Sequence, residues 1–370
     1  MNKFKTEIKK FIKSRVHNSY GVENFDSNRF GDYVKSSENL NVSSLKRFVK
    51  KIIRHNSLVL TESYLKEISY ENQLSWLWSN LNTKGKKILI ELIAFRVMGF
   101  EKVMLSRNNT EYNLSLKLSN EIIDYNDYIN PGFMHFILYK MDLNSLGMDI
   151  KLYFTPAGIS IDFILAQYTY KEKNKVLIDA SKDDVVLDVG GCWGDTALFF
   201  ANKIGKKGKV YSFEFIPNNI SIFEKNINLN PRLKDQIVLV SSPVSNKSGD
   251  NIYYKDNGPG SQVKSEPFVG SSGIATTISI DDFVEQNQLT KVDFIKMDIE
   301  GAEPFALNGA INTIKKFKPK LAIAIYHSMS DFVEIPKWIV DLNLGYKLYL
   351  DHYTIHSEET VIFASTTVES

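Results

Sequence analysis

The chain has 370 residues, 43% hydrophobic and 24% charged, and its 45 lysines and arginines against 43 acids leave a formal net charge of +2. That length allows two domains, the composition is that of a globular protein, and the near-neutral balance excludes a global demand for nucleic acid or an acidic partner. A single cysteine, Cys192, excludes an internal disulfide framework and suits a reducing cytoplasm, where the protein is expected to reside.

The first stretch, "MNKFKTEIKKFIKSRVH", carries lysines throughout and no long apolar core, so it reads as an amphipathic helix and not a signal peptide. Residues 1–56 hold 13 lysines and arginines against 5 acids. Such an arm is either a solvated helical face or a weak contact for a membrane surface or an anionic glycan. No apolar run approaches the roughly 18 residues of a membrane span. "SSLKRFVKKIIRH" (43–55) spaces Leu45, Phe48, Ile52 and Ile53 at helical intervals, and "KGKKILIELIAFRVMGF" (84–100) reads as a buried helix ending near Gly99. "EYNLSLKL" (111–118) alternates like a strand. Residues 1–150 are thus expected to form a mostly helical domain without assignable motifs.

From residue 151 the texture changes. "KLYFTPAGISIDFI" (151–164) suggests two short strands about a turn, and 162–180 looks helical. Apolar strands are then expected at 184–190, 209–214, 236–242, 292–298 and 320–327, alternating with helices at 194–204, 217–229, 279–287 and 304–317. That alternation predicts an α/β domain over 151–370 with a parallel sheet covered on both faces. Strands at 345–353 and 359–365 are too close in sequence for a crossover and must pair as a hairpin. Five parallel-type strands plus a C-terminal antiparallel hairpin is the Rossmann-like sheet of class I methyltransferases. "DNGPGSQV" (256–263) is either a plain turn or a substrate flap.

The loop "LDVGGCWGDTALFF" (187–200) joins the first strand to a helix through three glycines, which let backbone turn sharply and approach a ligand closely. Asp195 or Thr196 can cap that helix. The spacing G-G-x-x-G is not the dinucleotide cradle G-x-G-x-x-G. Glu214, ending the next strand 20 residues after Gly194, suits a ribose. Glu214 alone does not separate NAD from S-adenosylmethionine, but the latter has no phosphates and carries a cation that favours a carboxylate such as Asp188. Cys192 has no basic residue nearby in sequence and reads as a small apolar residue offering its backbone. Trp193 packs either beside a cofactor or in the core.

Together "VVLDVGGCWGDTALFFA", "VYSFEF", "TISIDDFV" and "KVDFIKMDIEGAEPFALNGA" resemble the FkbM-type S-adenosylmethionine-dependent methyltransferases over roughly 165–365. The resemblance implies O-methylation of a sugar hydroxyl on a glycan or glycosylated metabolite. It implies cofactor contacts at Asp188, Gly190, Gly191, Cys192, Trp193, Gly194 and Thr196, with Glu214 and Phe215 about the ribose. Gln167 and Tyr168 would cover the methionine end, and Ser242 would lie near the adenine. "FEFIPNN" departs from the proline that many relatives place directly after the glutamate, which alters the local turn.

Methylating a hydroxyl requires loss of its proton, so a base is expected at the C-terminal edge of the sheet. Asp298, which also faces the methyl donor, Glu300 and His327 fall there. His327 is the first choice because an unperturbed imidazole titrates near neutrality; the competing reading is a strand-end histidine satisfied by hydrogen bonds, and His352 fits that reading better. A cluster of Asp298, Glu300, Glu303 and His327, with Asp298, Glu300 and His327 the first ligands, could instead hold a divalent cation, magnesium or manganese, although the spacing matches no loop rule and no metal is expected. Glu303 precedes Pro304 and reads as a helix-start acid. "MDIEG" lacks the Asn/Asp-Pro-Pro-aromatic motif of amino-directed DNA methyltransferases, so nucleic acid is disfavoured as acceptor. An NAD-dependent sugar oxidoreductase and a non-catalytic nucleotide-binding module remain the alternatives.

Overall fold

The computed structural model describes residues 3–33, 70–173 and 175–367. The helix expected at 43–55 lies outside the described residues. The chain divides into two compact units, Met1–Thr110 with Leu350–Thr360, and Glu111–Tyr349 with Val361–Ser370.

In the first unit the helix Lys3–Arg15 packs on the helices Glu71–Asn80 and Thr83–Met98. Phe4, Ile8 and Ile12 recur every four residues and are wholly buried, along with Leu74, Leu77, Leu89 and Ile93. The apolar side of the N-terminal helix is therefore occupied within the unit, and lysines 3, 10 and 13 remain exposed. Among the described residues no helix is long and apolar enough to cross a membrane. Asp351 is held by Lys84 at 2.5 Å and Arg107 at 3.5 Å, and Arg107 Nε donates to the His352 carbonyl at 2.8 Å.

The second unit is built on a seven-stranded sheet. Its strands are β1 (Val185–Val189), β2 (Lys209–Phe213), β3 (Ile237–Val240), β4 (Phe294–Met297), β5 (Lys320–Ala324), β6 (Lys347–His352) and β7 (Thr360–Ser365). They lie in the order β6-β7-β5-β4-β1-β2-β3. The five from β5 to β3 run parallel, and β7 is antiparallel to β5. Every residue of β4 and β7 is buried, as strands covered on both faces require. This is the expected sheet of five parallel strands and a late pair.

The chain leaves β1 toward β2 and β3, then returns to β4 on the other side of β1. The strand order therefore reverses between β1 and β4, and open α/β sheets bind ligands beyond the strand ends at such a point. The helices α1 (Asp195–Ile204), α2 (Pro217–Asn228), α3 (Ile280–Gln286), α4 (Glu303–Asn308), α5 (Ile311–Phe317) and α6 (Asp331–Asp341) connect the strands. The single helix expected at 304–317 is broken at Gly309, whose backbone lies so close to the Ser245 carbonyl that a Cβ would sit 2.2 Å from it.

Three local expectations fail. Residues 111–118 lie in a helix, Thr110–Glu121, which buries Tyr112, Ser115 and Ser119 at helical spacing and leaves Leu114 exposed. After the strand Lys151–Phe154, residues 156–164 coil into Pro156–Gly158 and a wide helical turn, Ile159–Ile164, instead of a second strand. The helix expected at 162–180 gives way to a hairpin of Tyr170–Glu172 with Lys175–Ile178. A three-stranded antiparallel sheet, Ile123–Ile129, Leu138–Asp142 and Lys151–Phe154, also falls in this unit.

Candidate active site

The glycine loop leaves β1 directly against the end of β4. Asp298 N donates to the Val189 carbonyl at 3.0 Å, and a Cβ on Gly190 would lie 1.9 Å from the Asp298 carbonyl oxygen. Gly190 also has φ +94°, so only glycine fits there. A Cβ on Gly191 would meet the Ser212 hydroxyl at 2.1 Å. Gly194, also left-handed, supplies the residue before α1.

Beneath the loop, Asp188 is wholly enclosed. It accepts from Thr196 Oγ1 at 2.9 and 3.0 Å and from Ser212 Oγ at 2.7 Å, and Lys296 Nζ lies 3.2 Å away. Protein donors thus reach both oxygens, and Asp188 and Thr196 fasten the loop from inside. Lys296 escaped the sequence reading. It is 2% exposed, donates to the Gly190 carbonyl at 2.6 Å and sits 5.3 Å from the centre of the Tyr168 ring. Burial works against its charge, but Asp188, Asp298 and Asp195 outweigh it and raise the pKa. The parallel register sets Lys296 directly opposite Asp188. A lysine inside the apolar run "FIKM" was the signal that could have found this pair.

Of the other loop residues, Cys192 is half-buried, but its thiol end is enclosed, and burial followed by Asp195 and Glu214 pushes its pKa well up. It is no thiolate nucleophile. Trp193 is 3% exposed with its ring edge-on to Phe154 at 6.1 Å, and its Nε1 has no hydrogen-bond partner. Asp195 opens α1, buried, with Oδ1 unpartnered; burial raises its pKa to about 6.

Glu214 follows β2. Its Oε1 accepts from the backbone N–H of Phe215 at 2.6 Å and of Ile216 at 2.7 Å, and Oε2 accepts from Asn219 Nδ2 at 3.2 Å. Burial outweighs these donors and lifts the carboxyl to about 7. Pro217 opens α2 one residue after Ile216, the turn that the departure in "FEFIPNN" produces. Phe215 stacks edge-on against Tyr254 at 5.5 Å. Ser242 lies half-buried two residues past β3. Gln167 is 2% exposed, and Tyr168, also buried, donates from its hydroxyl to Asp298 Oδ2 at 3.1 Å.

Asp298, Glu300, Glu303 and His327 converge where β4 and β5 end. Tyr326 donates to both Asp298 oxygens at 3.2 Å. His327 Nε2 stands 3.5 Å from Asp298 Oδ1 and 3.8 Å from Glu300 Oε2, while Nδ1 faces Glu303 Oε1 at 3.3 Å. Glu303 does start α4, but it is wholly buried, accepts from Ile299 N at 2.8 Å and belongs to the cluster as well. Glu300 is the open member, its side chain 46% exposed on backbone at φ +58°, a conformation that a non-glycine residue rarely adopts.

Burial alone would lower the His327 pKa, but Glu303, Asp298 and Glu300 more than reverse that and raise it to about 10. The surrounding carboxylates thus favour the protonated ring while no cation is bound. His352 ends β6 and is buried, with Nδ1 2.9 Å from Thr360 Oγ1, and burial followed by Arg107 lowers it to about 3.

Residues 180–348 match the methyltransferase FkbM domain. Over 170 residues the chain is 25% identical to the hexuronic acid methyltransferase AglP of Haloferax volcanii, covering 46% of this chain and 67% of that protein. Among solved structures, it is similar to methyltransferase FkbM from Methylobacillus flagellatus KT, with 16% identity, TM-score 0.48, and 87% of this chain and 71% of that chain covered. It is also similar to Aeropyrum pernix fibrillarin bound to S-adenosyl-L-methionine, with 12% identity, TM-score 0.34, and 62% and 89% covered.

Proposed function

We propose, from the premise that residues 180–348 are a methyltransferase FkbM domain, that the protein methylates a hydroxyl of a sugar-containing acceptor with S-adenosylmethionine as donor. The observation that carries this reading is the direct contact between the glycine loop and Asp298, which brings the loop and a carboxylate cluster together at one switch point of the sheet. The similarity to a hexuronic acid methyltransferase supports a sugar as acceptor. We assign the activity to residues 151–370; the α-rich residues 1–150 keep no assigned task. The lone cysteine supports cytoplasmic residence.

The residues present fit the donor. Glu214 keeps Oε2 with a single protein donor, which leaves lone pairs for ribose hydroxyls. Backbone at Gly190, Gly191 and Gly194 would hold the rest. When bound, S-adenosylmethionine supplies an electrophilic methyl carbon. Glu300, the exposed carboxylate of the cluster, would take the proton of the acceptor hydroxyl. Asp298, held by two tyrosine hydroxyls, would orient that hydroxyl. His327, flanked by carboxylates on both nitrogens, fixes the two acids.

The test is transfer of labelled methyl to hexose- and hexuronate-containing glycans by wild type and Glu300→Gln. Loss of a general base lowers turnover by about 10²- to 10⁴-fold. Donor binding should stay unchanged. Full turnover in the variant would remove Glu300 from the mechanism.

A further inference from the structure

We propose that Asp298, Glu303 and His327 form a site for one divalent cation of the manganese–magnesium class, on the acceptor side of the methyl-transfer site. The proposal rests on the methyltransferase reading only for what the cation would do there, not for its binding.

The first observation is the donor set. Each of the three residues offers one ligand atom within 4.8 Å of the other two. Glu303 Oε1 lies 3.3 Å from His327 Nδ1 and Asp298 Oδ1 lies 3.5 Å from His327 Nε2, so the two carboxylates flank opposite ring nitrogens, of which the ion would take one. Glu300 stands at the rim, 3.8 Å from the same Nε2 that faces Asp298. Three carboxylates about one imidazole leave an excess of negative charge for a cation to balance.

The second observation points to a ligand independently. The Glu303 side chain is wholly enclosed, yet its Oε2 accepts no hydrogen bond, and neither ring nitrogen of His327 has an aligned partner. A buried carboxylate oxygen without a donor is costly to leave unpaired. Glu303 Oε1 is already used by the Ile299 N–H, so the turn is satisfied without Oε2. The atom left over has no partner in the turn.

Oxygen-rich ligands select hard cations, and one imidazole favours manganese over magnesium. Bound there, the cation would take the acceptor hydroxyl as a further ligand and lower its pKa before Glu300 removes the proton.

The test is a titration of metal-free full-length protein with Mn²⁺, followed by calorimetry and by the electron spin resonance of free Mn²⁺. The expected result is one ion per chain and binding at least tenfold weaker in Glu303→Gln and His327→Ala. Thermal melts identify any variant that fails to fold. Independently of the variants, spin-echo modulation of the bound ion in wild type should show one coupled nitrogen. No saturable binding, unchanged affinity in the folded variants, or no coupled nitrogen would each overturn the site. A parallel titration with S-adenosylhomocysteine in chelator keeps the two readings apart. Its binding without Mn²⁺ binding defeats only the cation, and its absence with Mn²⁺ binding defeats only the methyl donor.

Discussion

Lys296 and Asp188 show how much of the loop rests on one buried ion pair. Both are enclosed, and Lys296 also holds the Gly190 carbonyl. Removing one partner of a buried pair leaves an uncompensated charge, which costs about 3–5 kcal/mol. Lys296→Met should therefore lower unfolding stability by about that much in denaturant titration, and Lys296→Met with Asp188→Asn should recover most of it. Equal losses in the single and double variants would contradict the pairing. Glu214 gives the pH prediction. Its carboxyl is raised to about 7 in the folded protein against an ordinary 4.5, so between these values the folded state holds the proton more tightly. Stability from this group is fully present below pH 4.5 and declines as pH rises toward 7, by at most about 1.4 kcal/mol per unit. Glu214→Gln should flatten that part of the stability profile relative to wild type, read from denaturation midpoints across pH 4–8. A parallel shift of both profiles would sink the assignment. Glu214 was legible in the sequence as the acid ending a strand; its altered protonation was not, because burial is a property of the assembled protein.

Among the elements, those defined by long apolar runs were legible and those defined by contacts were not. The strands from Val185 to Ala324 carry continuous apolar sequence and appear where expected. The alternation at 111–118 misled because Tyr112, Ser115 and Ser119 make an equally good helical face once a partner surface covers it. Lys296 was hidden for the same reason: the strand was read correctly, but its register with β1 was not available. The break between α4 and α5 is likewise set by the Ser245 carbonyl, from a distant segment. In a free helix, Gly→Ala stabilises by up to about 1 kcal/mol. At Gly309 the new Cβ meets backbone at 2.2 Å, so overpacking wins and Gly309→Ala should destabilise by about 1–3 kcal/mol. A rise in melting temperature for this variant would show that the close approach relaxes freely.

At the scale of the molecule, the strand order explains why the glycine loop, Glu214 and the carboxylate cluster share one region. β1 lies between β4 and β2, so the loop after β1 has the Asp298 turn on one side and Glu214 on the other. The sequence located both sides, since each is a strand end followed by a helix start. It did not rank the acids, because Glu303 and Glu300 exchange importance only when the turn is formed: Glu303 is enclosed against His327 and Glu300 stays open. The account depends above all on the donor being S-adenosylmethionine. Calorimetric titration of the full chain with S-adenosylhomocysteine and with NAD tests it most directly. The account predicts saturable binding of S-adenosylhomocysteine, at least tenfold weaker in Glu214→Ala, and no binding of NAD. Binding of NAD with none of S-adenosylhomocysteine would contradict it.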